Sequence, residues 1–321
     1  MPVPSVRAAR VPALAKINLT LKVLHKRPDN YHELRTVFQT ISLGDWIDVE
    51  YRPAKTTRLH VDCNPEIPDN IILRAANAVL HEMRLKAEVH FHLRKRIPMG
   101  GGLGGGSSNA AAVLLALPAL AGKRVPIDTL TRIAATLGSD VPFFLCGGTA
   151  LGLSRGEELY PFPEPGVSHG VLVTPRIHVS TPLAFRRLRR HLTIPHNSRI
   201  INSFQSFSWE VGDNLPAASW REFCQNDFEE VVFRQHPEIQ RLKKKLISSG
   251  ASVALMTGSG SAVFGFFPNR PDAVAAAQVF PDAESVVFRT VKRARYRSLW
   301  WESLEAHALD HTWPPLSRYA E

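Results

Sequence analysis

The stretch Pro98–Ala112, PMGGGLGGGSSNAAA, limits what this chain can fold into more than any other segment. Six glycines stand in the seven positions from Gly100 to Gly106. A backbone without side chains reaches left-handed turns and lets a bulky group come up against its N–H donors. VHFHLRKRI precedes it, with Val89, Phe91 and Leu93 alternating with polar residues as in a half-buried strand. Ser107, Ser108 and Asn109 follow, then an alanine-rich run, Ala110 to Leu120, of helical character. A strand, a glycine loop and a helix start therefore come in succession. Unpaired N–H groups and the positive end of the helix dipole concentrate at that point, and phosphate is their natural ligand.

Two familiar phosphate loops fit poorly. A P-loop needs a lysine directly before its hydroxyl residue, and here Gly106 runs straight into Ser107. A dinucleotide fingerprint needs an acidic residue about twenty positions on, at the end of a second strand. Asp128 has the distance, but VPIDTL reads as a helix start after Pro126.

Around the loop the pattern is α+β. Val11–Val23 and Val37–Ile41 read as strands joined by a turn cluster, His25–Tyr31, and Ile47–Tyr51 and Thr57–Asp62 as further strands. Asn70–Met83 puts Ile71, Ala75, Val79 and Met83 on one helical face. Helices are expected over Ile127–Leu137, Thr181–Leu192, Pro237–Ser249 and Pro271–Val279. Strands are expected over Gly170–Thr174, Ser252–Met256 and Ser261–Phe267. Leu159–His169, with three prolines, marks the boundary between two domains, 1–160 and 161–321.

A chain of 321 residues exceeds the usual single core. No apolar run approaches the roughly 20 residues needed to span a bilayer, and the N-terminus lacks the apolar region of a secretory signal. Cys63, Cys146 and Cys224 are odd in number and widely spaced, which suits idle thiols in a reducing cytoplasm. The net charge of +10 admits two readings. Basic stretches at Phe185–His191, Arg241–Leu246 and Arg289–Arg297 would suit nucleic acid. An enzyme with polyanionic substrates also gains from positive potential near its cleft, and only this second reading gives the glycine loop a purpose.

The loop resembles the second motif of the GHMP kinases, a superfamily of small-molecule kinases. ALAKINLTL (Ala13–Leu21) resembles their first motif and MTGSGSAVF (Met256–Phe264) their third, in the right order. Lys16–Asp45, the doubled GGG around Leu103 and LGSDVPFF (Leu137–Phe144) are similar to one branch of that family. Its members phosphorylate a cytidine-diphosphate-linked methylerythritol rather than mevalonate or homoserine. The likeness runs from about Pro12 to about Lys292 and omits a C-terminal extension from about Arg293. It implies a two-lobed α+β fold with the active site in the cleft between lobes. ATP and Mg²⁺ are the implied cofactors, and no nucleic acid or membrane partner is expected. The chain is expected to be a monomer or homodimer.

The resemblance also implies roles. Pro98, Met99, Gly100, Gly101, Gly102, Leu103, Gly104, Gly105, Gly106, Ser107 and Ser108 would hold ATP, with Ser107 near Mg²⁺ or else capping the helix. Asn70 would lie by the adenine or serve as a plain N-cap, and Lys95 would lie near the nucleotide. Asp140 would be the general base and Lys16 its partner. Tyr31 and His32 would read the cytosine, with Phe185 as a second aromatic across the ring. Asn18 and Asn226 would contact substrate, and Gly258, Ser259 and Gly260 would close the far wall of the phosphate site. In the extension, Trp300, Trp301, Leu304 and Ala308 fall at helical spacing, as an apolar face packed on the body or on another subunit.

Overall fold

A computed structural model describes residues 6–164, 166–188 and 223–320. Its first lobe is organised by one long antiparallel hairpin, β1 (Arg7–Lys26) and β2 (His32–Pro53). β3 (Arg58–Cys63) and β4 (Ala87–Arg94) extend the sheet on the β2 side, giving the order β3-β4-β2-β1. β5 (Thr149–Leu153) and β6 (Glu158–Pro161) form a hairpin on the other half of β2. Residues 42–46, between the two expected strands Val37–Ile41 and Ile47–Tyr51, continue β2 as strand. Gly44 lies opposite Leu14, and a Cβ there would come within 2.6 Å of the Leu14 side chain, so a glycine lets two backbones close up inside a strand.

Helices α1 (Ile71–Glu82), α2 (Gly105–Ala121), α3 (Ile127–Leu137) and α4 (Val141–Cys146) pack around this sheet. α2 is buried all round from Ser108 to Leu120, which accounts for its alanine-rich, apolar composition. β7 (His169–Thr174), β9 (Val253–Met256), β10 (Val263–Phe267) and β11 (Glu284–Arg289) make the second sheet, in the order β11-β7-β10-β9. Helices α5 (Thr181–Arg187), α6 (Phe228–Gln235), α7 (Pro237–Ser248) and α8 (Arg270–Ala277) contribute to its core. The helix expected to reach Leu192 is described as far as Arg187, and 189–192 lie outside the described residues.

Two elements from beyond the expected boundary at 160 and 161 pack back on the first lobe. β8 (Gln225–Asn226), from the second half, pairs in parallel with Thr20 and Leu21 of β1. α9 (Arg293–Leu304) also returns to the first lobe, where Tyr296, Trp300, Leu304 and Ala308 join the same core as α2. The extension therefore packs on the body of its own chain. Covering a leucine such as Leu304 contributes roughly 1.5–3 kcal/mol. A third cluster joins the lobes, with Ala15, Ile17 and Leu19 of β1 against Phe264 and Phe266 of β10. Among the described residues no helix is long and apolar enough to cross a membrane.

Candidate active site

The glycine loop ends at Gly104, whose left-handed φ of 69° starts α2. Two glycines allow contacts that a side chain would forbid. A Cβ on Gly102 would lie 2.3 Å from the Thr257 carbonyl oxygen, and one on Gly104 would lie 2.7 Å from Phe144 Cζ. The loop is thus wedged between the turn after β9 and helix α4. Leu103 is buried, and its carbonyl accepts the Lys16 N–H at 3.0 Å. Its side chain is an anchor rather than a nucleotide contact. In α2 the first amide with an acceptor is that of Ser108, which donates to Gly104 O at 2.8 Å. The amides of Gly105, Gly106 and Ser107 have no acceptor among the described residues, so three donors stay open at a helix N-terminus.

The two serines differ. Ser108 is buried and its hydroxyl donates its one proton to Leu14 O at 2.7 Å, tying α2 to β1. Ser107 is half-buried at the third helical position, caps nothing and keeps its hydroxyl available. Pro98 and Met99 lead into the loop, with Met99 exposed. Beside the open amides stand two neighbours. A Cβ on Gly105 would lie 2.8 Å from Lys95 Nζ, and one on Gly106 would lie 3.8 Å from Ile71, at the start of α1. Asn70 is the N-cap of that helix, accepting the Ile72 N–H at 3.1 Å.

Lys95 is not a free cation. It is paired with Asp45, a carboxylate with no solvent exposure that also accepts from Arg96 N at 2.7 Å, Ile97 N at 2.8 Å and Asn109 Nδ2 at 2.9 Å. A buried charge must be matched in this way, and the match fixes the approach to the glycine loop. Sequence reasoning gave Asp45 no role. The signal was an acid inside the apolar run ISLGDWIDV.

Across the loop, Lys16 projects from β1 near a register shift at Leu14/Lys16, the kind of bulge that re-aims side chains. Its ammonium is buried, 3.4 Å from Asp140 Oδ2, and donates to Asn18 Oδ1 at 2.8 Å. Asp140 precedes α4 without capping it, and a third of its side chain is open to the cleft. Sequence distance of more than a hundred residues is thus closed into one ion pair.

Asn18 and Asn226, expected as polar contacts to substrate, are both hydrogen-bonded within the fold. Asn18 Nδ2 donates to Thr36 Oγ1 at 2.7 Å, and its Oδ1 also accepts from Gly258 N at 3.0 Å. Asn226 Nδ2 donates to Met256 O and Gly258 O, at 2.7 and 2.8 Å, while its Oδ1 accepts from Phe228 N at 3.0 Å. Asn18 ties Gly258 of the third motif to the first, and Asn226 ties the same segment to β8, while Asn18 also lines the cleft. Gly258 and Ser259 line the cleft, and Ser259 Oγ meets Thr181 Oγ1 at 2.6 Å. Gly260 turns away into the buried side, where a Cβ would lie 2.8 Å from Met256 Sδ.

The far end is aromatic. The hairpin tip between β1 and β2, with Asn30 at φ 67°, presents Tyr31 and His32. His32 stacks on Phe185 at 4.8 Å and 23°, so Phe185 faces a histidine here rather than Tyr31. Phe185 in turn meets Phe228 edge-on, and Tyr31, largely exposed, has the Arg155 guanidinium 4.8 Å over its ring. Burial, then the nearby Lys26 and His25, lower the His32 pKa, which keeps the ring neutral at pH 7.

Lys16, Asn18, Asp140, Tyr31, His32, Phe185, Gly258 and Ser259 line one cleft of about 750 Å³ between the lobes, and Gly102 and Gly104 bring the glycine loop to its edge, whereas Gly105, Gly106, Ser107, Asn70, Lys95 and Asn226 lie outside its lining. Lys16, Lys26, Arg155 and Arg186 line it against a single carboxylate, Asp140, so its potential favours an anion. No cluster of three or more His, Cys, Asp or Glu suited to a metal occurs among the described residues.

Family models for the GHMP kinases match twice, the N-terminal domain over 70–148 and the C-terminal domain over 214–284. A Solibacter usitatus protein described as 4-diphosphocytidyl-2-C-methyl-D-erythritol kinase is 47% identical over 98% of both chains. A Geobacter metallireducens protein of the same description is 40% identical over 83% of this chain and 92% of its own. The crystal structure of a 4-(cytidine 5'-diphospho)-2C-methyl-D-erythritol kinase superposes with TM-score 0.72 at 35% identity, covering 88% of this chain and 98% of the other. A mevalonate kinase, 13% identical with TM-score 0.68, shares the fold.

Proposed function

The chain belongs to the 4-diphosphocytidyl-2-C-methyl-D-erythritol kinase family of the GHMP kinases, and from that premise we propose how its cleft works. The activity is phosphorylation of 4-diphosphocytidyl-2-C-methyl-D-erythritol on the non-mevalonate route to isoprenoids, with ATP as the donor. The acceptor is the 2-hydroxyl, and the reaction runs in the cytoplasm. Polyphosphate binds the open amides of Gly105, Gly106 and Ser107, the arrangement that helix N-termini offer to anions. The cytidine lies at the other end, by Tyr31, His32 and Phe185, with the diphosphate along the basic lining.

The observation that carries this reading is the Lys16–Asp140 pair, 3.4 Å apart between those two ends. Asp140 accepts the proton of the acceptor hydroxyl, and the Lys16 ammonium stabilises charge on the attacking oxygen and the moving phosphoryl group. Backbone amides, already oriented, supply the remaining stabilisation without reorganising. Mg²⁺ fits as an ion held mainly by phosphate oxygens and water, with Ser107 the protein hydroxyl free to join it. When bound it neutralises phosphate charge. Neutral His32 can exchange hydrogen bonds with a base edge, which an imidazolium would do less selectively.

A panel of acceptors tests the assignment. Turnover with the cytidylyl substrate, and none with mevalonate or homoserine, is the expected outcome. Preference for an acceptor without cytidine would overturn it.

A further inference from the structure

Helix α4 has only six residues, fewer than an isolated helix needs to persist. Yet it sets three features of the site. Asp140 precedes its first residue, Phe143 packs on Phe38 at 5.0 Å beneath the Lys16 ammonium, and Phe144 bears on Gly104 of the glycine loop. Its C-terminal carbonyls would be orphaned in a buried setting without partners. Gly147 N donates to Phe143 O at 2.9 Å, and the partners of the next two carbonyls come from the C-terminal extension. Tyr296 Oη donates to Phe144 O, and Trp313 Nε1 donates to Leu145 O at 3.0 Å. Arg293 donates to Gly147 O at 3.3 Å and also to Thr149 O. The Tyr296 ring lies so close to Gly147 that a Cβ there would sit 2.4 Å from it. Trp313 is braced edge-on by Tyr296, Trp300 and Trp301.

We propose that the extension is a brace for the reaction. Tyr296 and Trp313 are positioning residues that hold the C-terminal end of α4 so that Asp140, at its other end, stays in register with Lys16. The proposal rests on the assignment of Asp140 as the base. Burial raises the Tyr296 pKa, so its hydroxyl remains a donor at every working pH.

Tyr296→Phe deletes one hydroxyl and keeps the ring, and it is compared with Trp313→Phe at a temperature well below the unfolding midpoint of each variant. Misplacement of a reacting group by about 1 Å costs on the order of 10²-fold. We expect kcat to fall by roughly 10- to 100-fold, with KM for ATP and for the cytidylyl substrate unchanged. The decisive arm is the double variant Tyr296→Phe/Asp140→Asn. If the hydroxyl acts through Asp140, its loss adds nothing once that carboxylate is gone. Equal losses in both backgrounds, or wild-type kcat in both single variants, would overturn the brace. Full activity of Asp140→Asn alone would instead remove the base assignment. Should Tyr296→Phe fail to fold, the Trp313→Phe cycle with Asp140→Asn gives the same reading.

Discussion

The two ends of the cleft are built by opposite means. At the transfer end, Lys16, Asn18, Thr257 and Asn226 are buried and joined by hydrogen bonds from all three motifs, and the ligand-facing groups are backbone amides. At the recognition end, Tyr31, His32 and Phe185 are exposed or half-buried side chains held by ring contacts, His32 on Phe185, Phe185 on Phe228 and Tyr31 under Arg155. Chemistry common to a superfamily is held in backbone and buried polar contacts, where any single change is expensive. Discrimination among acceptors is left to side chains on a hairpin tip and a short helix, which change without disturbing the transfer geometry.

Breaking the transfer end gives the largest effect. Asp140→Asn should lower kcat by about 10²- to 10⁴-fold, measured by steady-state turnover, with affinity for an ATP analogue retained in calorimetry. Next is Gly104→Ala, which combines a positive φ with a clash against Phe144. It should raise KM for ATP by on the order of 10²-fold while leaving cytidine binding intact. If cytidine binding falls in parallel, the two ends are not independent.

His32→Ala sharpens the contrast from the other side. Loss of a base contact typically costs about 1–3 kcal/mol, read as a raised KM for the cytidylyl substrate with KM for ATP and kcat unchanged. A fall in kcat instead would make His32 part of the transfer end. The smallest effect is pH. The folded His32 pKa lies below its ordinary value because of burial and the charges of Lys26 and His25. The unfolded chain therefore takes up this proton first as pH falls, so the neutral ring's contribution to stability is complete above about pH 6.5. It is lost as pH drops through the folded pKa. Cytidine affinity should be flat from neutral to mildly alkaline pH and weaken only below that range. A change centred between pH 7 and 8 would contradict the assignment.

Much of the transfer end is legible in sequence because it is local. Strand alternation, a glycine run and an apolar helix adjoin in one stretch, and their physics needs no partner. Lys16, Asp140 and the third motif came from resemblance, since nothing in their spacing brings them together. What escaped was whatever depends on where a polar atom finds its partner. Asn18, Asn226 and Ser108 are types that contact ligands, and all three also hydrogen-bond within the fold. Asp45, silent in sequence, organises the loop's approach. The returns of β8 and α9 across the expected boundary escaped for the same reason. β8 and α9 pair with elements hundreds of residues away, and no local composition records that return.

The central claim concerns where the triphosphate sits. A crystal structure with a non-hydrolysable ATP analogue and the cytidylyl substrate measures it. The account predicts phosphate oxygens within hydrogen-bond reach of the Gly105, Gly106 and Ser107 amides, with the acceptor hydroxyl between the terminal phosphate and Asp140. A triphosphate bound away from those amides, or an acceptor hydroxyl out of reach of Asp140, would contradict it.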